Sequence, residues 1–191
     1  MHVRVMSVCR LSAAIVAFAA LASCATLDKE ECLSTNWQQL GQKDGMAGQP
    51  ANHIDNHRKA CGEHGLPVDD QQWSIGWEQG IRAYCTPDNG LIQGREGRYY
   101  ANSCPPELKP GFDSAYTVAK RLYDARSERD RIQNEISSLE AQLRKATARD
   151  EMAKLQAELD RRRGDLRVAE RRLWDAEGDY DLYVRTNGLR R

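Results

Sequence analysis

The side chains in this sequence best suited to chemistry lie in His53-x3-His57-x3-Cys61-x2-His64. On a helix these positions share one face, and two histidines at i and i+4 form a zinc-binding pair. Three features argue against a metal there. Cys61 is expected to be oxidised, Gly62 and Gly65 end a helix before His64, and Asp55 joins as a third ligand only if the chain bends. His53 and His57 are therefore read as solvated helix histidines, and no metal or cofactor is assigned. Asp44, Asp69, Asp70 and Asp88 raise the question of paired carboxylates, since glycoside hydrolysis needs two of them about 5 Å or about 6.5–9.5 Å apart across a cleft. Each of these aspartates fits a helix cap or a turn better. Ser34, Ser74 and Ser103 have no nucleophile-elbow context. Gly90 to Gly97 (GLIQGREG) lacks the Lys-Ser/Thr ending of a phosphate-binding loop, so that chemistry is excluded. Trp37, Trp73 and Trp77 are able to stack on sugars or fill a core. The i,i+4 spacing of Trp73 and Trp77, in a chain with two Phe, favours the core.

The first elements to place are at the N-terminus. Arg4 and Arg10 precede an uncharged apolar stretch, Leu11 to Leu21. This is the pattern of an export signal, and it is shorter than the roughly 20 residues that span a bilayer. It runs into Leu21-Ala22-Ser23-Cys24, which resembles the bacterial lipobox. That resemblance implies cleavage after residue 23 and a diacylglyceryl group on Cys24. Ala25, rather than Asp, at the next position implies the outer membrane. The signal takes Arg4 and Arg10 with it, leaving 26 basic and 28 acidic groups, a net charge of −2. Near-balanced charge and export together exclude a nucleic-acid binder. Cys9 also leaves with the signal, and four cysteines remain for two disulfides: Cys32, Cys61, Cys85 and Cys104.

The exported chain changes character near residue 110. Residues 24–110 are rich in Gly, Cys and Trp, whereas no proline occurs from Phe112 onward. Trp37-x3-Gly41-x3-Gly45 is echoed by Trp73-x2-Gly76-x3-Gly80. Glycines four apart share a helix face and let another backbone approach. Helices are expected from Trp37 to the Gln49-Pro50 break, over Asn52–Cys61, and up to Tyr84 after an Asp69 or Asp70 cap. Thr86-Pro87-Asp88-Asn89-Gly90 reads as a turn, and the glycine-rich residues 91–100 as an irregular hairpin. Of the three possible cysteine pairings, an antiparallel pair of helices predicts Cys32–Cys61. Cys85–Cys104 then closes the glycine-rich loop.

The remainder is coiled-coil material. Leu122, Ala125, Ile132, Ile136, Leu139, Leu143 and Ala146 keep a 3-4 spacing, and Met152, Leu155, Leu159, Leu166, Ala169, Leu173, Ala176 and Tyr180 keep another. The two registers do not match across 146–152, where Thr147-x-x-Asp150 has the form of a capping box. This predicts an antiparallel hairpin turning near Thr147, with Leu139 opposite Leu155. One continuous helix of about 70 residues, about 105 Å long, is the alternative.

The Cys24 lipobox, Cys32, Trp37-Gln-Gln-Leu-Gly41-Gln-Lys-Asp44-Gly45, Ala60-Cys61, Gly76-x3-Gly80, Tyr84-Cys85-Thr-Pro-Asp-Asn-Gly90, Gly94-x2-Gly97 and Cys104-Pro105 occur together. Over roughly residues 24–125 the combination resembles a family of proteobacterial lipoproteins known only as a domain of unknown function. The resemblance implies export and a stapled domain, and no activity. The fold expected is mainly α. It comprises a signal peptide (1–23), a small disulfide-stapled helical domain with a Gly-rich irregular hairpin (24–110), a long antiparallel helical hairpin (111–186) and a tail (187–191). The function expected is that of a non-enzymatic outer-membrane lipoprotein on the periplasmic face. Its partners would be the membrane, through the lipid, and an envelope protein, through the hairpin. A periplasmic enzyme or a glycan- or peptidoglycan-binding module are the alternatives.

Overall fold

A computed structural model describes residues 26–189. The stretch expected to be a signal peptide (1–23), Cys24, where lipidation is expected, and the last two residues of the tail lie outside the described residues. The described chain is helical throughout its regular structure. The helices are α1 (Lys29–Ser34), α2 (Trp37–Met46), α3 (Ile54–Gly62, entered through a 3-10 turn, Ala51–His53), α4 (Asp70–Tyr84), α5 (Pro87–Arg95), α6 (Lys109–Leu143) and α7 (Arg149–Thr186). Local chemistry sets the starts. Asp28 and Glu31 form a reciprocal capping box on α1. Asn36, Asp69 and Thr86 accept from the backbone N–H three residues on, at the starts of α2, α4 and α5.

Residues 87–95 form helix α5, and not the turn and irregular hairpin expected from sequence. The residues that read as a turn serve a helix start equally well. Thr86 caps it, Pro87 occupies the first turn, where its missing N–H costs nothing, and Asp88 complements the helix dipole. Gly90 and Gly94 each lower helix propensity by about 1 kcal/mol, but tertiary contacts override that cost.

Those contacts define two units of the same design. In the first, α2 and α4 cross so closely that a Cβ on Gly41 would sit 2.0 Å from the Trp73 carbonyl oxygen, and one on Gly76 would sit 1.9 Å from that of Gln38. Contact pairs advance in the same direction along both helices, from Gly41–Trp73 to Gly45–Trp77, so the helices are parallel. In the second unit, α5 lies parallel to the start of α6, with Gly90 against Phe112 and Ala115, and Gly94 against Tyr116 and Ala119. The correspondence reaches individual side chains. Trp73 stacks on Trp77 as Phe112 stacks on Tyr116. Trp77 Nε1 donates to the Gln49 carbonyl at 2.8 Å, and Tyr116 OH donates to the Arg98 carbonyl at 2.8 Å. Gly48 and Gly97, both at positive φ, end α2 and α5 against the rings of Tyr84 and Tyr123. The echo of 37–45 in 73–80 is thus the two faces of one interface, while the repeating unit pairs α2–α4 with α5–α6.

Disulfides join Cys32 to Cys61 and Cys85 to Cys104. In each unit the bond ties the chain ahead of the first helix to the connection ahead of the second, across the starts of a parallel pair. The units meet through aromatic rings, with Tyr84 stacked on Phe112 and Tyr100 packed between Phe112 and Tyr116.

Beyond Tyr123, α6 continues for another 20 residues, about 30 Å of helix. The chain turns at residues 144–148, and α7 returns antiparallel as a hairpin arm. Ile132, Ile136, Leu159 and Ala169 form its seam, and at its base Tyr180 and Val184 join Leu91, Ala119 and Leu122. Two details differ from expectation. Ala148, not Thr147, occupies the cap position of α7, and no side chain caps it, so the Thr147–Asp150 box does not form. Leu139 packs into the cluster that holds Leu159 and Leu166, rather than opposite Leu155. Cross-helix ion pairs Arg126–Glu177 (3.3 Å) and Glu140–Arg163 (3.1 Å) agree with that shifted register.

Candidate functional site

The one cluster of metal-ligating side chains among the described residues lies in the first unit. Asp44 projects from α2 beside the glycine face that brings α4 close. Its Oδ2 accepts from Trp73 Nε1 and from His57 Nε2, both at 2.9 Å. The other ring nitrogen of His57, Nδ1, lies 2.9 Å from Thr26 Oγ1. His53, one turn earlier, meets the His57 ring edge-on at a centroid distance of 5.0 Å. His57 is only 3% exposed and Asp44 8%. His57 is therefore not the solvated helix residue expected from its spacing. It is an interior group whose hydrogen bonds are all made within the protein, as a buried polar side chain requires.

The electrostatics follow from this geometry. Burial alone pushes the Asp44 carboxyl up, but the hydrogen bonds from His57 and Trp73 and the charge of His57 outweigh it and hold the group below its ordinary value. Burial holds His53 below the ordinary histidine range. The Asp44 charge works against that shift and His57 adds to it. An imidazole bridging a hydroxyl and a carboxylate orients its two nitrogens for distinct roles. Because a carboxylate only accepts, His57 Nε2 is the donor in its contact with Asp44.

The other sequence candidates fall apart in space or into structural roles. His64 is exposed past the end of α3, and Cys61 is in its disulfide. Asp69 caps α4, Asp70 pairs with Arg58 at 3.0 Å, and Asp88 sits in the first turn of α5. Trp73 is 1% exposed. With its N–H on Asp44 it belongs to the core, as its spacing with Trp77 suggests. Thr26 was not singled out by sequence, because it lies 31 residues from the histidine it touches and no local pattern links them.

Similarity to a known family covers the stretch that forms the two units. Residues 36–121 match the model of a family described as "Protein of unknown function (DUF2799)". The chain therefore carries a domain of unknown function. The DUF2799 match begins at Asn36, the cap of α2, and ends two residues before Tyr123, so it takes in both units and stops where the arm begins. No curated protein and no solved structure is significantly similar to the chain.

Proposed function

We propose that this chain is an outer-membrane lipoprotein, anchored on the periplasmic face through acylated Cys24, and that it acts without catalysis as an interaction or structural module. Support for the anchor comes from the Leu21-Ala-Ser-Cys24 sequence behind a charged, then apolar, start. Thr26, two residues further on, is already bonded into the fold through His57. The body would thus begin at the membrane with almost no spacer. Acyl chains buried at about 0.8 kcal/mol per methylene would make the attachment durable.

The observation that carries the interaction role is the outward face of α7. Trp174 is 75% exposed and Leu182 60%, two turns apart with Gly178 between them. These two side chains, set among Asp175, Glu177 and Asp179, are the large apolar groups that a partner would cover there. They lie at the base of the arm, on the side of α7 turned away from the cluster that Leu173, Ala176, Tyr180 and Val184 form with Leu91, Ala119 and Leu122. The partner would be another protein of the envelope.

Both parts are tested in cells. Labelled palmitate enters the wild type and not Cys24→Ser, and Ala25→Asp moves the protein to the inner membrane. In crosslinked envelopes, Trp174→Ala with Leu182→Ala loses partners that the wild type captures. Equal labelling of wild type and Cys24→Ser ends the anchor claim, and unchanged capture by the double variant ends the arm's role.

A further inference from the structure

We propose that Asp44, His53 and His57 form a binding site for a divalent transition-metal cation of the zinc class. Sequence spacing alone left the histidine pair without a third ligand, and the fold supplies one from another helix. One ligand atom from each of the three residues lies within 4.8 Å of the others. Tetrahedral zinc with bonds near 2.0–2.2 Å holds its ligand atoms about 3.3 Å apart. His57 Nε2 and Asp44 Oδ2, at 2.9 Å, are already at about that separation. Only His53, the half-buried member at the start of α3, has to swing inward. Its position at the edge also gives the cation a way in.

The surroundings are those of a supported metal site. A ligating histidine donates its second nitrogen to a fixed acceptor, and a ligating carboxylate takes a further hydrogen bond. Here Thr26 Oγ1 faces His57 Nδ1, and Trp73 Nε1 donates to Asp44. On binding, Nε2 loses its proton to solvent and gives up its hydrogen bond to Asp44, the cation takes the freed lone pair, and Nδ1–H donates to the Thr26 hydroxyl. Two imidazoles and one carboxylate suit zinc, cobalt, nickel or copper rather than calcium or magnesium, which prefer all-oxygen shells. With three protein ligands the fourth position is open to water. A bound cation would lock α2 to α3 and, through Thr26, hold the segment just after the proposed lipid anchor. The site does not depend on that anchor being present.

The test uses tag-free, disulfide-bonded full chain, stripped with chelator and titrated with ZnCl2 in a calorimeter, with Co2+ as an optical probe. One equivalent of Zn2+ binds, and Co2+ gives the intense visible bands of a tetrahedral site. His53→Gln leaves the His57–Asp44–Trp73 bonds in place, so it folds. It weakens Zn2+ binding by at least about 10–100-fold, the range that even supporting residues produce. Asp44→Asn loses the cobalt bands, while His64→Gln changes nothing. A wild-type dissociation constant above about 1 mM, or Zn2+ binding that survives intact in His53→Gln, overturns the site. Neither result bears on palmitate labelling of Cys24.

Discussion

At Gly76 a single methyl group decides whether two helices can touch. A Cβ there would lie 1.9 Å from the Gln38 carbonyl oxygen, and backbone on both sides leaves no flexible neighbour to give way. Gly76→Ala should therefore cost about 2 kcal/mol or more by overpacking, lowering the melting temperature by at least about 4 °C for a chain of this size. Gly62→Ala is the control, because nothing lies within 4 Å of its Cβ. It should be neutral, or stabilising by up to about 1 kcal/mol. Indistinguishable melts for the two variants, followed by circular dichroism, would contradict the close crossing. Trp77→Phe and Tyr116→Phe form a second pair. Each removes one donor from an equivalent carbonyl, worth about 1 kcal/mol, and Trp77→Phe also gives up indole packing on Trp73, so both denaturant midpoints should fall and that of Trp77→Phe should fall further. An unchanged midpoint for Tyr116→Phe would mean that the Arg98 carbonyl does not depend on its donor. The glycine faces were legible in sequence because i,i+4 spacing is a local property. Which glycines face which was not, since Gly41 meets Trp73 across an intervening helix. His57 was misread for the same reason: helical periodicity sees only its own helix, while its partners Asp44 and Thr26 come from elsewhere.

Among the elements, the arm was the most legible from sequence and α5 the least. A register break between two long apolar stripes requires either a turn or a partner chain, and α6 and α7 take the turn. The exact pairing escaped prediction because it depends on turn length, and the five residues 144–148 between the helices shift Leu139 toward Leu159 and Leu166. The helix α5 was hidden because its start uses the same Thr-Pro-Asp residues as a turn. Its glycines are accommodated by Phe112, Ala115, Tyr116 and Ala119, which lie on the next helix along the chain. An intramolecular seam makes a thermodynamic prediction. Unfolding involves no association step, so the melting temperature should stay constant over a hundredfold range of protein concentration, roughly 1–100 μM. A melt that rises with concentration would assign the seam to contacts between chains. Within the arm, Ile136→Asp buries a charge in the seam, where Ile136 is almost fully enclosed. It should cost several kcal/mol and speed amide exchange around Leu159 while leaving α2 and α4 protected. Equal deprotection of all four helices would show that arm and body unfold as one.

For the whole molecule, two stapled helix pairs form a body from which a charged arm extends. The disulfides close loops with sequence separations of 29 and 19 residues. On the chain-entropy model each contributes about 3–4 kcal/mol, slightly more for the longer loop. Paired serine substitutions of Cys32 with Cys61, or of Cys85 with Cys104, should lower stability by that order in urea titration. A change below about 1 kcal/mol for both would place the stability in the apolar interfaces alone. Anchorage at the body's first residues would then display the arm from a fixed platform. The intact mass of the protein extracted from cell envelopes without reduction reads anchor and disulfides together. The expected mass is that of a chain beginning at Cys24, carrying a diacylglyceryl group and a further acyl chain, and lighter by four hydrogens for its two disulfides. A mass corresponding to residues 1–191, or to a cleaved chain with no lipid on Cys24, would contradict it.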